Sequence, residues 1–149
     1  MMLGAIRTLI VDDSTTLRAM LDLMICDHRD FLPPVHASDA LKAISILDER
    51  FFDLVLLDIN MPGMDGLQLL DHIVANSLSS VLIVSTASSP GSDISIDALN
   101  RGAIACFDKA NCINEADKLV ALIREIVTQK HEAALCLPAL NQLTSVPYS

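Results

Sequence analysis

Aromatic residues are scarce in this chain of 149, at 3% with no tryptophan, which removes the stacking platforms that hold single-stranded nucleic acid. Basic residues are scarce too. Ten Lys plus Arg stand against nineteen Asp plus Glu, a formal charge of −9, so the surface repels phosphate backbones and anionic membranes, and neither is an expected partner. No apolar run approaches the roughly 20 residues of a membrane-spanning helix. The opening MMLGAIRTLIVDD lacks the hydrophobic region and cleavage site of a secretory signal, so the expectation is a cytoplasmic protein. Paired-cysteine motifs are missing as well: Cys26, Cys106, Cys112 and Cys136 form no CxxC and read as reduced thiols. His28, His36, His72 and His131 are scattered, which favours solvated or ordinarily hydrogen-bonded imidazoles over a zinc site.

What is abundant is apolar. With 52% hydrophobic and 19% charged residues, the chain reads as one well-buried domain, and at this length folding hides roughly 68–70% of the unfolded surface without disulfides or a structural metal. Short unbroken apolar runs alternate with longer stretches whose apolar residues recur every three or four positions. The runs Leu9-Ile10-Val11, Leu54-Val55-Leu56-Leu57, Val81-Leu82-Ile83-Val84 and Ile104 to Phe107 read as strands β1, β3, β4 and β5. Their continuous hydrophobicity implies a parallel sheet covered on both faces. A further strand, β2, falls near Leu32 to Ala37. Its Pro33-Pro34 pair is tolerated only at a strand's start or at a sheet edge. That favours a flavodoxin-like α/β fold: a doubly wound five-stranded parallel sheet of order 2-1-3-4-5, with β2 at the edge.

Helices fill the intervals. Leu17, Met20, Leu21, Met24 and Ile25 share one helical face, as do Leu41, Ile44 and Leu47, and Leu67, Leu70, Ile73 and Val74. Caps are expected at Ser14, at Ser38 or Asp39, at Asp65, at Ser92 or Asp93 (opening a helix α4), and at Asn114. Asn114 with Asp117 resembles a capping box, and Leu119, Leu122, Ile123, Ile126 and Val127 then carry a helix α5 from about Glu115 to Lys130.

The informative residues are polar ones that end the apolar runs. Asp12 and Asp13 follow β1, Asp58 ends β3, Ser85 and Thr86 end β4, and Lys109 follows β5. All lie at carboxyl ends of parallel strands, where open α/β sheets bind ligands. Each Asp taken alone could simply cap the next helix. That reading leaves Asp12 and Asp13 together unexplained, and also Asp58, which a loop separates from its helix. Three carboxylates in one crevice require a compensating cation, and all-oxygen ligation with open positions suits Mg²⁺.

Val11-Asp12-Asp13-Ser14, the segment Asp58-Ile59-Asn60-Met61-Pro62-Gly63-Met64-Asp65-Gly66, Ser85-Thr86-Ala87 and Lys109 together resemble the receiver domain of two-component response regulators, over about residues 5 to 130. Within that family, Ser88-Ser89-Pro90-Gly91-Ser92-Asp93 and Asn100-Arg101-Gly102-Ala103-Ile104 look most like the receiver half of the chemotaxis protein-glutamate methylesterase. The resemblance implies that Asp58 accepts phosphate from a phosphohistidine on a histidine kinase. It implies that Asp12, Asp13, Asp58 and the backbone carbonyl of Asn60 hold Mg²⁺, with Asp12 acting through a water. Lys109 then neutralises phosphoryl charge and Thr86 donates its hydroxyl. Ser85 is the alternative to Thr86, because a one-residue slip in β4 reverses the face.

Two positions depart from the family pattern. Cys106 stands where an aromatic residue commonly reports phosphorylation, and Phe107 cannot replace it, because adjacent strand residues face opposite ways. Ala110 stands where a cis proline usually follows the lysine, so the Lys109–Ala110 bond is expected to be trans and the loop to differ, with the ammonium still in the crevice. The phosphorylation-controlled switch, with output on an α4-β5-α5 face or an attached domain, therefore has a rival: a pseudo-receiver that binds partners without turning over phosphate. Flavin binding is disfavoured, since the carboxylates repel a flavin phosphate.

Residues 1–130 are the expected receiver domain and 131–149 an extension or linker. His131 to Cys136 could lengthen α5 before Pro138 stops it, and residues 144–149 read as linker. Leu135, Leu137, Leu140 and Leu143 could instead dock on the domain or on a second copy as a homodimer. No separate catalytic domain is expected in this chain, only self-phosphorylation and self-dephosphorylation at Asp58.

Overall fold

A computed structural model describes residues 5–61, 65–86, 92–112 and 114–145, with side chains up to residue 130. Five parallel strands, β1 (Thr8–Val11), β2 (Val35–Ala37), β3 (Leu54–Leu57), β4 (Ser80–Ser85) and β5 (Ala105–Asp108), stand in the order β2-β1-β3-β4-β5. This is the expected doubly wound order. The double proline lies just before β2 and costs the ladder no donor, and β2 is an edge strand.

Strand residues alternate between two cores. Leu9, Val11, Val55, Leu57, Val81 and Ile83 pack with Ala40 and Ala43 of α2 (Ala40–Glu49) and Leu69, Leu70 and Ile73 of α3 (Gly66–Asn76). Ile10, Leu54, Leu56, Leu82 and Val84 pack on the other face with Leu21 and Ile25 of α1 (Thr15–Cys26) and Leu119, Val120, Ile123 and Val127 of α5 (Ala116–Ser145). Both faces are therefore dry, which is why the strands read as unbroken apolar runs.

Side chains cap four helices. Ser14 accepts from the Leu17 N–H, Asp39 from Lys42, Asp65 from Leu67, and Ser92 from Ser95 at the start of α4 (Asp93–Asn100). Asp39 rather than Ser38, and Ser92 rather than Asp93, fill the expected roles. Asn114 does not: α5 begins at Ala116, one residue too late for an Asn114 cap. A 3₁₀ turn at Lys109–Asn111 and a bond from the Glu115 N–H to the Asn111 carbonyl (2.8 Å) carry the chain into α5 instead.

Two further boundaries move. β5 lies one residue later than expected, because Ile104 faces outward and the ladder pairs Ser85 with Asp108 at its end. Helix α5 continues to Ser145 through Pro138, so the proline does not stop it. A proline removes one N–H from a helix's ladder, and here the helix continues on both sides of that gap. Residues 144 and 145, expected as linker, are its last residues, and 146–149 fall outside the described residues.

One glycine fixes how α3 meets the sheet. A Cβ on Gly66 would sit 2.2 Å from the Ile59 Cα and 2.6 Å from its carbonyl oxygen, so only glycine lets the first turn of α3 pack on the loop leaving β3.

Candidate phosphoacceptor crevice

Strand order brings the polar strand ends together. Asp12 and Asp58, directly after β1 and β3, are 2% and 3% exposed, whereas Asp13 is exposed at the rim. The three present carboxylate oxygens that all lie within 4.8 Å of one another. Lys109, directly after β5, reaches back across β4, and its Nζ lies 2.8 Å from Asp12 Oδ2 and 3.0 Å from Asp58 Oδ2. One ammonium thus bridges the two buried carboxylates. Burial pushes the Asp12 carboxyl up from its ordinary value, and this outweighs the bonds from Lys109 and from the Ser14 N–H. Burial also pushes Lys109 down, but its hydrogen bonds to Asp12 and Asp58 prevail and hold it above its ordinary value, so it stays charged.

Backbone groups complete the anchoring. The Ser14 N–H donates to Asp12 Oδ1 at 2.8 Å and the Asn60 N–H to Asp58 Oδ1 at 2.9 Å. In each case a carboxylate folds back on the N–H two residues later, the local turn for which Asp is suited. The lysine is thereby directed to the other oxygen of each carboxylate, Oδ2.

Of the two hydroxyls that end β4, Ser85 is fully buried and its Oγ accepts a 2.9 Å bond from the Asn60 amide, while Thr86 turns out into an exposed position. The side chain joined to the crevice is that of Ser85. A one-residue shift in where β4 ends is the whole difference, because neighbouring strand positions face opposite ways. Two contacts were not foreseen from sequence. The Asn60 amide couples β3's loop to β4, and Arg18 donates from a guanidinium nitrogen to the Asp12 carbonyl at 2.6 Å. Arg18's position on the first turns of α1, off the apolar stripe, was the available signal.

The two departures after β4 are also placed. Cys106 is half-buried against the α2–α3 core with its Sγ 3.8 Å from the Ser95 carbonyl, and Phe107 packs against the opposite core. No peptide bond among the described residues is cis. The Ala110 N–H donates to Asp108 Oδ1 at 2.9 Å, a bond that a proline, lacking the N–H, cannot make. This is the physical content of the alanine.

The donor set fits a hard divalent cation: three gathered carboxylates offer oxygen only, and their charge exceeds that of the single ammonium. Among the described residues no helix is long and apolar enough to cross a membrane.

Comparison with known proteins gives one family. The model of the response regulator receiver domain matches residues 8–124. A protein-glutamate methylesterase/protein-glutamine glutaminase of Chromobacterium violaceum is 34% identical over 130 residues, covering 87% of this chain and 36% of the relative. One from Shewanella oneidensis is 35% identical over 104 residues, covering 70% and 29%. The chain thus spans about a third of the length of these relatives. Among solved structures, the response regulator domain of Thermotoga maritima CheB superposes with a TM-score of 0.79 at 30% identity, covering 83% of this chain and 97% of that one. A chain from the complex of the CheA3 P1 domain with CheY6 of R. sphaeroides gives 0.73 at 26%, covering 85% and 99%. With the fold, the gathered carboxylates and these matches in agreement, the chain belongs to the family of response regulator receiver domains.

Proposed function

We propose that this chain is a phosphoacceptor switch whose Asp58 takes a phosphoryl group from a phosphohistidine on a histidine kinase. The observation that carries the reading is Lys109 Nζ held between Asp58 and Asp12 with Asp13 beside them. An Asp58 carboxylate oxygen attacks phosphorus, the phosphorus–nitrogen bond breaks, the imidazole leaves and takes a proton from solvent, and an acyl phosphate remains. Asp12, Asp13, Asp58 and the Asn60 carbonyl are the groups that would hold Mg²⁺, which when bound neutralises phosphoryl oxygens as a Lewis acid. Lys109 shifts from bridging two carboxylates to pairing with the transferred group. The Asn60 N–H holds Oδ1 of Asp58 and so orients the attacking carboxylate. The Ser85 hydroxyl, placed by Asn60, donates to a phosphoryl oxygen, the role for which the sequence offers Thr86 with Ser85 as its alternative.

For output, the relatives supply the analogy and the surface supplies the means. Ile96, Leu99 and Ile104 are exposed on α4 and beside β5, an apolar face suited to an attached domain or partner in chemotaxis-type signalling. The lack of an aromatic switch residue at Cys106 favours the second reading, a pseudo-receiver that binds without phosphate turnover. Incubation with Mg²⁺ and a small phosphodonor, followed by intact-mass measurement, separates the two. Gain of one phosphoryl group by the wild type and none by Asp58→Asn is expected of the switch, and no gain in either overturns it.

A further inference from the structure

We propose that Arg18 is a positioning residue for the metal ligand Asp13, acting from α1 by fixing the backbone on which that carboxylate stands. This role depends on the Mg²⁺-site reading proposed above for Asp12, Asp13 and Asp58. Of the three, Asp13 is held differently. Asp12 and Asp58 are buried, and each carboxylate is tied at one oxygen to a backbone N–H and at the other to Lys109. Asp13 is exposed at the rim, and its carboxylate carries no hydrogen bond or ion pair among the described residues. Its direction is therefore set by its backbone.

The Cβ direction of a residue follows from the two peptide planes that meet at its Cα, because each plane is rigid and only φ and ψ are soft. Both planes at Asp13 are pinned. The plane that follows carries the Ser14 N–H, which donates to Asp12 Oδ1 at 2.8 Å. The plane that precedes carries the Asp12 carbonyl, to which Arg18 donates at 2.6 Å from one terminal nitrogen while the other lies 3.5 Å from Thr15 Oγ1. The Asp12 N–H donates in turn to the Ala37 carbonyl at 3.1 Å, so the end of β1 is held on both sides. A lysine would supply the charge but not the planar fork that reaches a carbonyl and a hydroxyl together. The Arg18 Nε is buried with no hydrogen-bond partner among the described residues. A buried donor left unpaired costs stability, so an apolar replacement sheds that cost while it releases the peptide plane.

Charge and position have opposite consequences here. Removing a cation beside the crevice strengthens the attraction for a second cation, so a guanidinium that acted by charge alone would, once removed, leave Mg²⁺ bound more tightly. Removing a group that aims a ligand weakens the metal instead, by about tenfold or more for the hydrogen-bond partners of metal ligands.

Backbone-amide NMR shifts of the full chain, followed through a Mg²⁺ titration, test this role, and the same spectra report whether the fold is kept. Arg18→Met should raise the Mg²⁺ dissociation constant about tenfold while amides of α3 and α5 keep their wild-type shifts. Arg18→Lys, which keeps the charge, should weaken Mg²⁺ as well, and it carries the test should Arg18→Met not fold. Introduced into Asp13→Ala, the Arg18 substitution should weaken Mg²⁺ no further, whereas a general loosening of the domain would weaken it in both backgrounds. Mg²⁺ binding equal to or tighter than wild type in either Arg18 variant, or an equal loss with and without the Asp13 carboxylate, overturns the role of Arg18 and leaves the metal reading standing. Absence of Mg²⁺ binding by the wild type overturns both.

Discussion

Replacing Lys109 with Met, a side chain of similar length and no charge, strands Asp12 and Asp58, both nearly fully buried. With an effective dielectric of about 20, a unit charge 2.8–3.0 Å from each carboxylate is worth roughly 6 kcal/mol per pair before desolvation is counted. Desolvation of the lysine offsets much of this, and removing one partner from a buried ion pair typically costs about 3–5 kcal/mol. We expect Lys109→Met to lose about that much in urea unfolding at pH 8 with chelator present. The loss should shrink with acid. Burial already holds Asp12 above the ordinary carboxylate range, and without the ammonium it rises further. The folded state then binds more protons than the unfolded state between the ordinary value and the raised one, so stability falls as pH rises through that window. Saturating Mg²⁺ should return part of the loss by mass action, about 2.7 kcal/mol at a hundred times its dissociation constant. A cost below about 1 kcal/mol at pH 8, or an equal cost at pH 8 and pH 5.5, would refute the reasoning.

Gly66→Ala should destabilise the fold by about 3 kcal/mol or more, since its Cβ meets Ile59 backbone atoms rather than a movable side chain; a shift in thermal midpoint under a few degrees would count against the close approach. Ser85→Ala should slow phosphorylation of Asp58 by a small-phosphodonor assay roughly tenfold to a hundredfold, with Thr86→Ala near wild type, and the reverse order would return the role to Thr86. Cys112, fully buried with its thiol pushed up to about 11 chiefly by burial, should resist iodoacetamide at pH 8 in the folded protein and react only on unfolding; peptide mapping that finds it labelled natively contradicts the packing.

Strand identity was legible because burial on both sheet faces leaves no polar positions to confuse the period: Leu54 to Leu57 and the Leu9 to Val11 core of β1 stand where the sequence puts them. Topology was legible in part through the prolines ahead of Val35, which a strand's start or a sheet edge tolerates; they precede the ladder of β2, and β2 is also the edge strand. Boundaries were less so. Asn114 carries a cap's side chain, but the 3₁₀ turn after β5 sets where α5 can begin, and that turn depends on Asp108 accepting from the Ala110 N–H. Pro138 shows the same limit in reverse: a residue that disfavours a helix interior does not by itself end a helix that extends on both sides of it.

The crevice was legible for a different reason. A doubly wound sheet delivers every carboxyl strand end to one place, so a polar residue after an apolar run is assigned a location by topology alone, without knowledge of any side-chain contact. That reasoning resolves position along the chain only as finely as the strand's end is known. It placed Asp12, Asp58 and Lys109, where each run stops abruptly at a charge, but it could not separate Ser85 from Thr86, two hydroxyls in succession. Burial and the bond from Asn60 separate them. The pairing of Asp22 on α1 with His36 on β2 lies beyond such reasoning altogether. Nothing in the sequence marks His36, which sits amid β2, as facing Asp22 in the third turn of α1; the parity of a three-residue edge strand and the rotation of α1 decide it together. Sites at strand ends are inherited from topology, whereas contacts between a helix flank and a strand's middle, such as that of Asp22 with His36, arise from packing, and only coordinates reveal them.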